Sequence, residues 1–128
     1  MALDILIVDD ERDIRDLVSG VLSDEGYECR TAGDSTAALN AIDERRPSLV
    51  LLDVWKNLSV PCFEAVYPRL AEEGVIVSDN MIYPEGARDA VRALRAAIRA
   101  KGDLQTALLP LGSGIELTVK WSPGNAKL

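Results

Sequence analysis

The sequence predicts an α/β fold: a three-layer sandwich built on a mostly parallel sheet. Two observations predict it. Apolar runs of strand length alternate with segments of helical period along all 128 residues, the pattern of a sheet covered by helices on both faces. The last two apolar runs flank a glycine-rich turn, which adds an antiparallel hairpin. A chain of this length makes one ordinary domain, with a core large enough to need no disulfide or metal staple.

The elements follow in order. Residues 4–8 read as the first strand. A helix over about 11–25 follows, because Ile14, Leu17, Val18, Val21 and Leu22 recur at i, i+3, i+4, i+7 and i+8. Gly26 stands where a helix C-cap glycine belongs. Residues 27–32 form a second strand, and Asp34 or Ser35 caps a helix that turns Ala38, Leu39 and Ile42 inward until Pro47 stops it. Residues 49–53 are a buried third strand.

Residues 56–60 read as a connection, and Pro61 as the opening residue of a helix through Phe63, Val66, Tyr67 and Leu70. Pro68 argues against the continuity of that helix. Gly74 precedes the strand 75–78. A helix over about 86–101 buries Val91, Leu94 and Ile98 and aligns Arg88, Arg92, Arg95 and Arg99 on another face. Residues 104–111 and 115–121 flank Gly112-Ser113-Gly114 as the hairpin. Right-handed crossovers then give the strand order 2-1-3-4-6-5. The expected organisation is one domain over residues 1–121 and a disordered tail over 122–128.

Composition excludes several function classes. There is no histidine, and Cys29 and Cys62 lack metal-ligand spacing, so histidine acid/base chemistry and the usual zinc sites are ruled out. Both cysteines read as packing residues. No leader pattern and no run near 18 apolar residues is present, so the expectation is a cytoplasmic protein without a membrane partner. The net charge is -7. Residues 1–55 hold 13 acids and 5 bases, whereas residues 56–128 hold 8 and 9, so the two halves differ in electrostatic character. The arginine stripe reads as solvated surface, and no nucleic-acid partner is expected of so acidic a chain.

Ligands of such sheets bind beyond the carboxyl ends of the strands, at the switch point between strands 1 and 3. Asp9, Asp10, Asp53, Asp79 and Asn80 all fall on that edge. Three carboxylates ending two neighbouring strands are costly without a cation, and oxygen ligands with room for water suit Mg²⁺ or Mn²⁺. A simpler role for Asp9 or Asp10 alone is to cap the following helix.

The stretches Ile5-Leu6-Ile7-Val8-Asp9-Asp10-Glu11, Ile14 to Gly26 and Leu49-Val50-Leu51-Leu52-Asp53 resemble a response-regulator receiver domain, a flavodoxin-like fold. The resemblance implies Asp53 as phosphate acceptor, Asp9 and Asp10 as organisers of the metal, and a histidine kinase or small phosphodonor as partner. It fails past residue 55. Ser78 supplies the hydroxyl a receiver carries after strand 4, but Leu109-Pro110-Leu111-Gly112 offers no lysine.

The remaining half is similar to the C-terminal part of the metal-dependent catechol-type O-methyltransferases, whose fold is Rossmann-like. Three stretches carry that likeness: Leu52-Asp53-Val54-Trp55-Lys56, Tyr67 to Asn80 and Leu109 to Glu116. It implies Asp53, Asp79 and Asn80 as metal ligands and Lys56 as the base that deprotonates a substrate hydroxyl. The glycine-rich turn that would cradle S-adenosylmethionine is missing. Its place is taken by Asp9-Asp10-Glu11-Arg12, whose charge repels the carboxylate of that cofactor, so methyl transfer is not expected. Three readings follow: a Mg²⁺-binding receiver-like module with weak or absent switching, a truncated O-methyltransferase, and a recombined or engineered chimeric scaffold without physiological function.

Overall fold

In the computed structural model, which describes residues 3–82 and 85–121, six strands form one sheet. They are β1 (Asp4–Asp9), β2 (Glu28–Ala32), β3 (Leu49–Asp53), β4 (Val75–Ser78), β5 (Leu104–Leu109) and β6 (Ile115–Lys120). Their order is β2-β1-β3-β4-β6-β5, as the sequence predicts. The first four are parallel, and β6 runs antiparallel to both β4 and β5. No helix among the described residues is long and apolar enough to cross a membrane. The tail 122–128 lies outside the described residues, as do Tyr83 and Pro84.

Four helices connect the strands: α1 (Arg12–Asp24), α2 (Ser35–Glu44), α3 (Lys56–Val66) and α4 (Arg88–Arg99). α1 ends on Gly26, whose φ of 93° requires a residue without Cβ. α2 starts on Asp34, which accepts a hydrogen bond from the Ala37 N–H at 2.8 Å. α3 departs from the sequence reading: it begins five residues before Pro61, which sits inside it. The proline removes one helical hydrogen bond, yet burial of Ser59, Cys62, Phe63 and Val66 on the flanking turns holds the helix together. Pro68 acts as expected, since α3 stops at Val66 and residues 67–69 tighten into a 3-10 turn.

Alternation along the strands divides the sheet into two unlike faces. Leu6, Val8, Val50, Leu52 and Ile76 point to the side covered by α2, α3 and α4, where they meet Phe63, Val66, Leu94 and Ile98 in one core. On the other side α1 packs against β1 and β2, over Ile5 and Ile7. A charged latch ties the amino-terminal edge. Arg30 and Arg45 both bond to Asp4, and Arg30 also reaches the carbonyls of Ala41 and Arg45 at the end of α2.

β6 forms as the hairpin strand the sequence predicts, and period-2 alternation gives it one aliphatic and one polar face. The polar face is the one buried: Glu116 and Thr118 are fully buried, and Leu117 is left 36% exposed. Burial of Glu116 is made possible by partners: Arg95 of α4 donates to it at 3.0 Å, and the Thr106 hydroxyl donates at 2.5 Å. Thr118 joins Thr106 at 3.0 Å.

Two predictions follow from this packing. Both halves share one core, so urea should unfold the protein in a single transition, with fluorescence and circular dichroism coincident. Arg95→Ala strands a buried carboxylate and should cost about 2–4 kcal/mol, read as a lower urea midpoint at unchanged slope.

Candidate functional site

The site is built by one register. Ile5 to Asp9 of β1 pair with Leu49 to Asp53 of β3 residue for residue, so Asp9 and Asp53 end neighbouring strands side by side. Both open onto a cleft of about 610 Å³ at the carboxyl edge of the sheet. Its walls include Asp10, Glu11 and Ile14 after β1, Val54, Trp55 and Asn57 after β3, Asn80 after β4, and Ala87 and Ala90 at the start of α4.

Each acidic group is held by the chain. The buried Asp9 carboxylate accepts from the Glu11 N–H at 2.8 Å, the local capping interaction the sequence allows. Asp10 accepts from the Trp55 N–H at 3.3 Å, which ties the two loops together across the cleft. Asn80 donates its amide to Asp53 at 3.3 Å. Asn80 has a φ of 60°, a conformation asparagine tolerates better than most residues. The turn that carries it is clamped by the hairpin, because Met81 and Ile82 donate their N–H groups to the carbonyls of Gly114 and Ser113. Gly114 has a φ of 92°, and a Cβ there would stand 2.7 Å from the Ile82 nitrogen.

Not every residue singled out in the sequence reaches the cleft. Asp79 accepts from the Asn80 N–H at 2.7 Å and is not among the lining residues. Ser78 is the register partner of Leu52 and shares its core-facing side. Its Oγ is buried there, the only such side-chain polar atom among the described residues without a hydrogen-bond partner. Lys56 opens α3 directly after Trp55, but its side chain lies outside the described residues. Sequence reasoning did not single out Trp55, 65% exposed at the cleft wall, as part of the site. A large aromatic residue placed two positions after a strand-ending aspartate is the signal that could have found it.

The donor chemistry fits a largely hydrated ion better than a closed cage. Two adjacent carboxylates, Asp9 and Asp53, with Asp10 and the Asn80 amide on the same wall and room for water, suit Mg²⁺ or Mn²⁺. No group of three or more histidine, cysteine or acidic side chains among the described residues is arranged to hold a metal by itself. Burial pushes the Asp9 carboxyl above its ordinary value of 3.8; the Glu11 N–H opposes this and the charge of Asp10 reinforces it. The Cys62 thiol is pushed up by burial and by the charges of Asp34 and Asp10, so it is an inert packing residue.

Comparison with known proteins divides the chain. The family model of the response regulator receiver domain matches residues 5–55. The nitrogen assimilation regulatory protein NtrX of Azorhizobium caulinodans is 62% identical over 55 residues, which are 43% of this chain and 12% of that protein. The chain therefore spans about an eighth of that relative's length. The structure of NtrX from Brucella abortus in complex with ADP superposes with a TM-score of 0.53 at 38% identity, over 76% of this chain and 22% of that one. An O-methyltransferase from Bacillus cereus, solved in complex with SAH, superposes with a TM-score of 0.66 over 93% of this chain and 74% of that one, at 16% identity.

The raised Asp9 pKa yields a prediction. A carboxyl with a raised folded pKa holds its proton more tightly folded than unfolded, so its share of stability is lost as pH rises from 3.8 through the folded value. Asp4 works in the opposite sense: burial raises its carboxyl, but hydrogen bonds and charge from Arg45 and Arg30 prevail and lower it. Asp9→Asn keeps an acceptor for the Glu11 N–H and removes the charge. In metal-free buffer it should raise the melting temperature near neutral pH and leave it unchanged below pH 3.8.

In sequence, the first part of the chain resembles a response regulator receiver domain, while in fold nearly the whole chain resembles O-methyltransferases, so this is a protein of two parts on one sheet.

Proposed function

We propose that this chain is a receiver-derived signalling module whose cleft takes a hydrated Mg²⁺ or Mn²⁺ ion and whose Asp53 accepts a phosphoryl group from a small phosphodonor or a histidine kinase, without full switching. The supporting observation is the in-register pairing that sets Asp53 beside Asp9 at the mouth of the cleft. Asp9 and Asp53 would hold the cation, which when bound would offset their repulsion and the charge of the incoming phosphoryl oxygens. A carboxylate oxygen of Asp53 then attacks phosphorus in line, and the donor leaves as its own carboxylate or imidazole.

Incomplete switching follows from two residues. The Ser78 hydroxyl faces the core, and the β5–β6 turn has no lysine to neutralise a phosphoryl group. Transfer to Asp53 is therefore slow, and the phosphorylated state has little to pull on.

A second reading, a truncated O-methyltransferase, is favoured by the fold and by the cleft volume, which lies within the usual range for small-molecule sites. Against it stand the acidic turn 9–12, where backbone N–H groups would have to approach a cofactor, and the carboxylates on the wall.

Titration with Mg²⁺ tests the metal: at about 100 times the dissociation constant it should add roughly 2.7 kcal/mol of stability and change Trp55 fluorescence. Asp53→Asn should stabilise the apo protein and weaken binding. No response to millimolar Mg²⁺ or Mn²⁺ in either readout would refute the metal site. Acetyl phosphate with Mg²⁺ should add one phosphoryl mass slowly to the wild type and none to Asp53→Asn. Calorimetric titration with S-adenosylmethionine should show no binding below millimolar concentration, and a signal there would favour the enzyme reading.

A further inference from the structure

The cleft at the carboxyl edge of the sheet is larger than an ion needs. An octahedral ion with six waters fills about 180 Å³. The cleft holds about 610 Å³, a volume suited to a small organic molecule. Its lining is of two kinds. Asp9, Asp10, Glu11 and Asp53 contribute negative charge, and no lysine or arginine is among the described residues that line it. Arg15 donates to the Asp9 carbonyl and lies against Gly33, outside that lining. The rest is largely apolar, with Ile14, Trp55, Ala87 and Ala90. Trp55 is 65% exposed. Its backbone N–H donates to Asp10 at 3.3 Å, so a carboxylate stands beside the aromatic residue.

These features together select a ligand class. A cleft lined by one sign of charge concentrates the opposite sign, and an aromatic lining favours a cation that sheds its water easily. An ammonium is compact and strongly hydrated. A guanidinium or amidinium is flat and weakly hydrated, stacks on an indole and offers forked N–H groups to a carboxylate. The spacing of the acids points the same way: among the described residues no three of them are arranged to cage an ion by themselves. A cation whose charge is spread over two or three nitrogens reaches acceptors that stand apart.

We propose that the cleft binds a small guanidino or amidino compound, its planar cation stacked on Trp55 and hydrogen-bonded to Asp10, with its carbon skeleton against Ile14 and the start of α4. This goes beyond the phosphoryl chemistry proposed above and does not depend on it. The two share carboxylates, so Mg²⁺ and the compound compete.

Phenylguanidine is the probe, titrated calorimetrically in metal-free buffer of low salt, and phenylurea, of the same shape without the charge, is the control. Phenylguanidine should bind with a dissociation constant below about 1 mM, and phenylurea at least tenfold more weakly. Trp55→Ala, at an exposed position, and Asp10→Asn, which keeps an acceptor for the Trp55 N–H, should each weaken binding about fivefold or more with unchanged circular dichroism. Where Mg²⁺ binds, it should raise the apparent dissociation constant of phenylguanidine. No binding up to about 10 mM, equal binding of phenylurea, or undiminished binding by both folded variants would overturn the proposal. So would tighter binding of acetyl-Gly-Arg-Gly-amide, which would make the ligand an arginine of a partner protein. A Mg²⁺ response without phenylguanidine binding refutes this proposal and leaves the metal site standing; phenylguanidine binding without any Mg²⁺ response does the reverse.

Discussion

The pairing of β1 with β3 is the constraint on which the rest of the structure depends. Leu6 and Val8 reach the same core as Val50 and Leu52, and a slip of one residue would turn all four toward the α1 side. Apolar burial thus fixes the register, and the register fixes the chemistry. It sets Asp9 next to Asp53 at the strand ends, where burial and the Asp10 charge make a lone carboxylate expensive. The fold creates an electrostatic cost that a cation is suited to relieve.

The opposite half of the sheet serves the same edge by other means. The β5–β6 hairpin holds residues 81 and 82 through two backbone hydrogen bonds, and so positions Asn80 over Asp53. Beneath it, Arg95, Glu116, Thr106 and Thr118 form a polar patch inside an otherwise apolar layer. Each member is satisfied by another, which is the condition under which such a patch can be buried and can specify one strand pairing. The aliphatic side of β6 is displaced to the open face as a consequence.

The receiver-like sequence ends at residue 55, whereas the fold likeness to an O-methyltransferase runs over 93% of the chain, so the two overlap along β1, β2 and β3 instead of dividing the sheet between them. The cleft is lined from both sides of that limit, by Asp9, Asp10 and Asp53 before it and by Asn57, Asn80 and the start of α4 after it.

The sequence by itself determined the order of elements, the strand order 2-1-3-4-6-5 and the placement of Asp9, Asp10, Asp53 and Asn80 on one edge. These follow from local periodicity and from the few crossovers a right-handed chain allows. Tertiary structure decided where periodicity yields to packing. Pro61 lies inside α3 because burial on both sides of it outweighs a lost hydrogen bond. Ser78 faces the core because it is in register with Leu52, and Asp79 turns onto its own backbone because the tight turn offers it the Asn80 N–H. β6 buries its polar face because Arg95 arrives from a helix 21 residues away in sequence to neutralise Glu116. No window of neighbouring residues contains that partner, so only the folded chain could supply it.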